Sequence, residues 1–240
     1  MIILITGGAS GLGEAITHRL AKDSHNSVYF TYHTSNENAE RITNEYSNTF
    51  SINCDFGNEN DIASLQVLIT QLDIDVLINN AYSGTFLQSH FNKIPVDSFL
   101  SEFSLNILPT IAVTQAAITC FRKKKSGKII TILTSALKGT PPIGSSVYVA
   151  NKAYLEELTK VWAAENVKFN ISSNSVSPSF MLTGFTKDID ERLVEQMREQ
   201  NPSKKILTTD EVAASVLSIV KAKQDVNGIN FVINSSADVI

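Results

Sequence analysis

Short runs of apolar, β-branched residues alternate along this chain with longer stretches whose apolar positions recur at helical spacing. The short runs predict strands at Ile2–Ile5, Val28–Thr31, Thr49–Asn53, Val76–Asn79, Lys128–Leu133, Asn170–Val176 and Asn230–Ile233. They are apolar on both faces, as strands covered on both sides must be. The longer stretches predict helices at Leu12–Ala21, Glu37–Tyr46, Asp61–Leu72, Val96–Phe121, Tyr148–Ala164 and Asp210–Val220. Thr34-x-x-Glu37 has the form of a capping box for the second helix, and Thr209 or Asp210 is placed to cap the last. Regular strand–helix alternation implies a parallel sheet with right-handed crossovers and helices on both faces. No repeat, proline-rich linker or low-complexity stretch divides the chain. The expected fold class is α/β, a single doubly wound Rossmann-type domain over residues 1–240, with a substrate lid over about 180–208.

Composition narrows the function without naming it. A chain of 240 residues with 43% hydrophobic and 18% charged residues has the composition of a soluble globular domain. A net charge of −4 gives no reason to expect nucleic acid as a partner. No uninterrupted apolar run approaches the roughly 20 residues of a membrane helix. A strand follows Met1 at once, so no secretory leader is expected. Cys54 and Cys120 lack neighbours at metal or redox spacing and read as reduced thiols of a cytoplasmic protein. His18, His25, His33 and His90 are scattered, so no metal site is expected. The run Arg122-Lys123-Lys124-Lys125 reads as cations at a helix C-terminus.

Chemistry enters at Thr6-Gly7-Gly8-Ala9-Ser10-Gly11-Leu12-Gly13. Glycines between a first strand and a first helix let backbone N–H groups approach a pyrophosphate at the positive end of that helix. Gly7, Ser10, Gly11, Leu12 and Gly13 are therefore candidate cofactor contacts. An acid at the end of strand two would accept from a free ribose 2′-hydroxyl and repel a 2′-phosphate. This chain has Tyr32-His33-Thr34-Ser35-Asn36 there instead. His33, Thr34 and Ser35 can receive a phosphate, so NADP(H) is favoured, with NAD(H) as the alternative.

Further on, Tyr148 and Lys152 stand one helical turn apart, and Ser135 lies thirteen positions before Tyr148 (148 − 135 = 13). With the glycine loop, Asp55, Asn79-Asn80-Ala81, Asn106 and Pro178 in this order, the chain resembles the short-chain dehydrogenase/reductase family from Ile2 to about Ile233. It fits the shorter branch rather than the extended one that includes sugar epimerases, and it is nearest in pattern to the β-ketoacyl carrier-protein reductases. The resemblance implies a catalytic group of Asn106, Ser135, Tyr148 and Lys152. A free phenol has a pKa of about 10, and a nearby ammonium favours its ionised form. Tyr148 would exchange a proton with the carbonyl or alcohol oxygen, and Ser135 would steady the charge developing there. By resemblance, Lys152 also holds the nicotinamide ribose and Asn106 a water leading to solvent. Asp55 and Phe56 would flank the adenine, and Asn80 and Ala81 would line the cofactor cleft. Pro178, Met181 and Thr183 would close over the nicotinamide.

Four positions depart from the family pattern: Tyr82, Ser179, Ser235 and Ser236 replace its usual glycines. Tyr82 puts a large ring at the cofactor ribose or the substrate mouth. Phe180, Met181, Leu182, Phe185, Leu193, Met197, Ile206 and Leu207 either line an apolar substrate pocket or pack two short lid helices. Arg122–Lys125 and Lys168 are candidates for docking an acidic carrier, although Phe169 stands where an arginine is expected. A homotetramer or homodimer through the helices at Val96 and Tyr148 is implied by the family. The leading expectation is NADPH-dependent reduction of a ketone or aldehyde, such as a 3-oxoacyl thioester, taken up as a small-molecule carbonyl or alcohol. The alternatives are an NAD-dependent alcohol or sugar dehydrogenase and a non-catalytic nucleotide-binding regulator.

Overall fold

The computed structural model describes residues 1–235; Ser236, one of the departures, lies outside them. The strands are β1 (Ile2–Ile5), β2 (Ser27–Tyr32), β3 (Thr49–Asn53), β4 (Val76–Asn79), β5 (Gly127–Ile132), β6 (Ile171–Pro178) and β7 (Asn230–Ile233). The helices are α1 (Gly11–Ala21), α2 (Asn36–Glu45), α3 (Glu59–Leu72), α4 (Val96–Lys124), α5 (Ser146–Asn166), α6 (Glu191–Gln200) and α7 (Thr209–Lys221). All strand pairs are parallel, in the order β3-β2-β1-β4-β5-β6-β7. The order reverses between β1 and β4, so the loops leaving these two strands diverge and open a crevice at the C-terminal edge of the sheet.

Alternation along β1 shows how the two layers are built. Ile3 and Ile5 face a core completed by Ile16 and Leu20 of α1 and Val216 of α7. Leu4 points the other way, toward Leu65 and Ile69 of α3 and Val113 and Phe121 of α4. Each fully buried side chain of this size contributes about 1.5–3 kcal/mol. Gly127 opens β5 flat against the Phe121 ring: a Cβ there would stand 2.1 Å from a ring carbon. By length and composition α4 could cross a membrane, yet here it is the crossover helix into the core, with Ile107, Val113, Ala117 and Phe121 fully buried.

Several boundaries differ from the sequence reading for local reasons. Asn170 does not start β6, because it sits in the left-handed region (φ 57°) and ends a short 3-10 turn. Asparagine tolerates that conformation better than most residues. Ser35, not Thr34, occupies the N-cap of α2, and neither forms the expected capping box. The box at α7 is made by Thr208 with Glu211, one residue before the expected cap. Pro178 is the last residue of β6 rather than a residue beyond it. The lid does hold a helix, α6, N-capped by Asp190.

Candidate active site

The glycine turn is shaped by hydrogen bonds that reach across the sheet. Thr6 follows β1, and its Oγ1 accepts from the backbone N–H of both Asn80 and Ala81, each at 3.0 Å. Asn80 Nδ2 returns the contact, donating to the carbonyls of Thr6 (3.0 Å) and Gly7 (2.9 Å). Gly7 N donates to Thr31 Oγ1 at 2.9 Å, which ties the turn to β2. Gly7 and Gly11 take left-handed φ values of 66° and 53°, where a side chain would be strained. Gly13 packs under the turn: a Cβ there would stand 2.0 Å from the Gly7 oxygen. The first amides of α1 are thereby left facing the crevice, as anion-binding helix ends do. Ser10, the exposed N-cap, makes no side-chain capping bond.

The crevice is about 760 Å³, and every residue the sequence singled out for cofactor or catalysis lines it. At one end are His33, Thr34, Ser35, Asp55 and Phe56. Asp55 Oδ1 accepts from Gly57 N at 2.8 Å, and its Oδ2 lies 3.7 Å from His33 Nε2. A site for a 2′-phosphate at His33 therefore has a carboxylate beside it. Arg41 of α2 is held by Glu14 of α1.

Tyr148 and Lys152 project from α5 into the middle of the crevice, both buried. Lys152 Nζ donates to the Ile132 carbonyl at 2.7 Å, and burial draws its ammonium down to about 7. Burial likewise pushes the Tyr148 phenol up to about 12, opposed by hydrogen bonding with the Thr134 side chain. The expectation that the ammonium would depress this phenol is not met, because desolvation is the largest influence on both groups. The protonated phenol is nonetheless the form a general acid needs.

Sequence reasoning passed over Thr134. It lies two residues after β5, is 8% exposed, lines the crevice with Tyr148, and its hydroxyl accepts from Ala136 N at 3.3 Å. Ser135, one residue later, opens the short 3-10 turn Ser135–Leu137 and also lines the crevice. A count that admits threonine as well as serine would have found the pair. Asn106 is 2% exposed. Its Oδ1 accepts from Ser83 N at 2.7 Å, and its Nδ2 donates to the Ser83 and Glu102 carbonyls, each at 2.9 Å. Both amide hydrogens are engaged by protein, so this side chain pins the loop after β4.

The remaining wall is apolar. Phe86 and Phe185 lie 5.2 and 5.7 Å from the Tyr148 ring, and Phe180 lies 6.5 Å from Phe86. The lid is held down by a bridge between Met181 and Leu207 and by Thr186 Oγ1 donating to the Met181 carbonyl. Thr183 sits over Gly11, its Cβ 3.4 Å from where a glycine substituent would stand. Pro178, Ser179, Met197 and Ile206 complete this end. Both readings of the lid's apolar residues therefore hold at once, since Leu207 packs in the core while Phe180, Phe185, Met197 and Ile206 line the crevice.

The basic run is elsewhere. Arg122, Lys123 and Lys124 occupy the last turn of α4, which leads back to the start of β5 at the opposite edge of the sheet. Arg122 Nε donates to Asn166 and its guanidinium stacks on Phe169, while Lys124 pairs with Asp73 and Asp75. The suggestion of a carrier dock at the site mouth is corrected accordingly. Among the described residues no cluster of three or more His, Cys, Asp or Glu side chains could hold a metal.

Comparison with known proteins agrees with this geometry. A family model described as enoyl-(acyl carrier protein) reductase matches residues 7–235. The 3-oxoacyl-(acyl-carrier-protein) reductase FabG of Aquifex aeolicus is 29% identical over 224 residues, covering 90% of this chain and 88% of the relative. A doubly substituted Serratia marcescens short-chain dehydrogenase/reductase superposes with a TM-score of 0.85 at 25% identity, covering 99% of this chain and 98% of that one. A short-chain dehydrogenase from Burkholderia cenocepacia J2315 in complex with NADP has the same fold, with a TM-score of 0.85 at 24% identity and coverage of 99% and 97%.

Proposed function

The chain belongs to the short-chain dehydrogenase/reductase family and is an oxidoreductase acting between C=O and CH–OH groups, and from this premise we propose that it reduces an apolar ketone or aldehyde with NADPH, using Tyr148 as general acid. The observation that carries the reading is the placement of Tyr148 and Lys152 in the crevice that the glycine turn opens. A bound nicotinamide supplies the hydride. Gly7, Ser10, Gly11, Leu12 and Gly13 hold its pyrophosphate, Asp55 and Phe56 its adenine, and Asn80, Ala81, Tyr82 and Lys152 its nicotinamide half. Pro178, Met181 and Thr183 cover that half. Tyr148 gives its phenolic proton to the substrate oxygen as the oxygen becomes an alkoxide. Lys152, charged beside it, opposes the negative charge left on the phenol.

A hydroxyl from the Thr134–Ser135 pair steadies the same oxygen, and Thr134 is favoured because its side chain acts to lower the proton affinity of the Tyr148 phenol against burial. Thr134→Val is expected to lower kcat by about 10² to 10³, the usual cost of one such donor, with Ser135→Ala within about fivefold of wild type. Steady-state rates of both variants check this, and the reverse order returns the role to Ser135.

The aromatic wall around Tyr148 favours carbonyls with an apolar flank, 3-oxoacyl thioesters among them. Delivery on an acidic carrier draws no support from Arg122–Lys125. The test is oxidation of NADPH and NADH against thioesters, keto sugars and simple ketones. Turnover that favours keto sugars over apolar ketones would discard the substrate class. A second reading, an NAD-linked dehydrogenase, is favoured by Asp55, 3.7 Å from His33. The ratio of kcat/KM for NADPH over NADH decides between them. It is expected to exceed one and to fall about tenfold in His33→Asp, since one carboxylate beside a phosphate costs on the order of 1 kcal/mol or more. A wild-type ratio below one puts the NAD reading first. Leu100 and Leu108 of α4 and Tyr154 and Val161 of α5 are exposed, which suits a homo-oligomer through these helices.

A further inference from the structure

Lys152 is a buried cation whose polar partner in the structure is a neutral carbonyl, at 2.7 Å. No carboxylate among the described residues forms an ion pair with it, although buried charges are normally paired. A π face lies next to it: its Nζ is 4.7 Å from the centroid of the Tyr82 ring. Tyr82 stands where the family usually has glycine, and its ring does not hang free. The hydroxyl donates to Glu102 Oε2 of α4 at 3.2 Å and accepts from Asn151 Nδ2 of α5 at 3.3 Å. Glu102 is fixed in turn by Gln88 Nε2 at 2.6 Å. The same ring meets Tyr148 edge-on, with centroids 5.2 Å apart at 83°, and Phe185 at 5.7 Å and 80°.

We propose that Tyr82 is a positioning residue, clamped by Glu102 and Asn151, whose ring holds Lys152 in its ammonium form and sets the orientation of Tyr148. The proposal rests on Tyr148 and Lys152 being the catalytic pair. A ring face next to a desolvated ammonium stabilises its charged state. A glycine at this position would place no side chain there. Here the space is filled by a side chain tied to both helices that flank the site.

The ionisable groups around Lys152 are few. Tyr148 lies one turn before it on α5, Tyr82 lies on the loop after β4, and Glu102 lies behind that ring on α4. Glu156, one turn after it on α5, is held by Lys138 at 2.5 Å and by Asn230 at 2.8 Å. From β5 it meets the Ile132 carbonyl. Removing the Tyr82 ring therefore takes away the nearer of two π faces beside Lys152 and leaves the Ile132 carbonyl as its polar contact.

The test compares pH profiles of kcat/KM for carbonyl reduction in the wild type, Tyr82→Phe, Tyr82→Leu and Tyr148→Phe. Reduction needs Lys152 charged, so lowering its pKa moves the alkaline loss of activity to lower pH. Tyr82→Leu is expected to shift that limb downward by about one pH unit, the scale of a desolvated cation–π contact. Tyr82→Phe keeps the ring and is expected to stay within about 0.3 unit of wild type. Tyr82→Met, of similar bulk but without a π face, stands in for the leucine variant if that one unfolds. Superimposable limbs in the wild type and Tyr82→Leu, with Tyr148→Phe inactive, overturn the proposal. So does an unshifted limb with tighter cofactor binding, which would make Tyr82 a plug over the ribose site. Full activity in Tyr148→Phe would instead overturn the catalytic pair on which the proposal rests.

Discussion

Tyr148→Phe is expected to lose carbonyl-reducing turnover by about 10² to 10⁴ in kcat while binding the cofactor as the wild type does. The variant deletes one hydroxyl and leaves the ring, so the edge contacts with Tyr82 and Phe86 persist. The fold is expected to persist, and the loss is confined to the phenolic hydroxyl, that is, to proton transfer at the substrate oxygen and the interaction with Thr134. General acid catalysis by a single positioned group supplies rate factors of this size. Burst-free steady-state kinetics with NADPH, alongside a fluorescence titration of the cofactor, separates the two effects. Comparable kcat in the variant would sink the mechanism. Equal losses in kcat and cofactor affinity would mean that the phenol is needed mainly to shape the crevice.

The second large effect is expected at Gly13. Alanine there would bring a methyl to 2.0 Å from the Gly7 oxygen and 2.6 Å from Asn80 Nδ2. Neither atom can yield without breaking the hydrogen bond between them, which fixes the turn to the loop after β4. The N-terminus of α1 must then shift away from the crevice. Overpacking of this kind costs about 1–3 kcal/mol of stability, and a displacement near 1 Å of the binding amides costs on the order of 10² in function. Gly13→Ala is thus expected to weaken cofactor binding by about 10² or more, with a lower melting temperature. Gly11→Ala is the contrast. Its nearest neighbour is Thr183 at 3.4 Å, so only the φ of 53° is strained, at a cost of about 1 kcal/mol. Calorimetric titration and thermal unfolding of both variants check the ordering. Unchanged affinity in Gly13→Ala would remove the glycine turn from the cofactor site.

Much of this was legible in the chain itself. Val76–Asn79 reads as a buried strand because four apolar or small polar residues in a row can be satisfied only inside a sheet. Gly7, Gly11 and Gly13 read as a phosphate turn because they stand where a strand gives way to a helix, and Gly7 and Gly11 do adopt left-handed angles. Tyr148 and Lys152 read as a pair because helical geometry puts residues four apart on one face. Such signals are local, set by periodicity, φ requirements and spacing within one element.

The errors and omissions share the opposite property. Thr34 looked like a cap because a hydroxyl three residues before a glutamate has the right form, but the chain enters α2 at Ser35. The run Arg122–Lys125 looked available to a carrier, yet the length of α4 takes it to the far edge of the sheet. Thr134 went unseen because a spacing rule counts positions and passes over a second hydroxyl beside the one it finds, although both line the crevice. Tyr82 was visible only as a missing glycine. Its ring on Lys152 and its ties to Glu102 and Asn151 join residues that lie 20 and 69 positions away. The sequence by itself determined the order of the strands and of the helices outside the lid, the parallel α/β class, the glycine turn and the residue types of the proposed catalytic pair, since each follows from forces acting within a few residues. The tertiary structure alone decided which side chains meet in the crevice and how burial moves their proton affinities, because desolvation and contact depend on every element packed around a group.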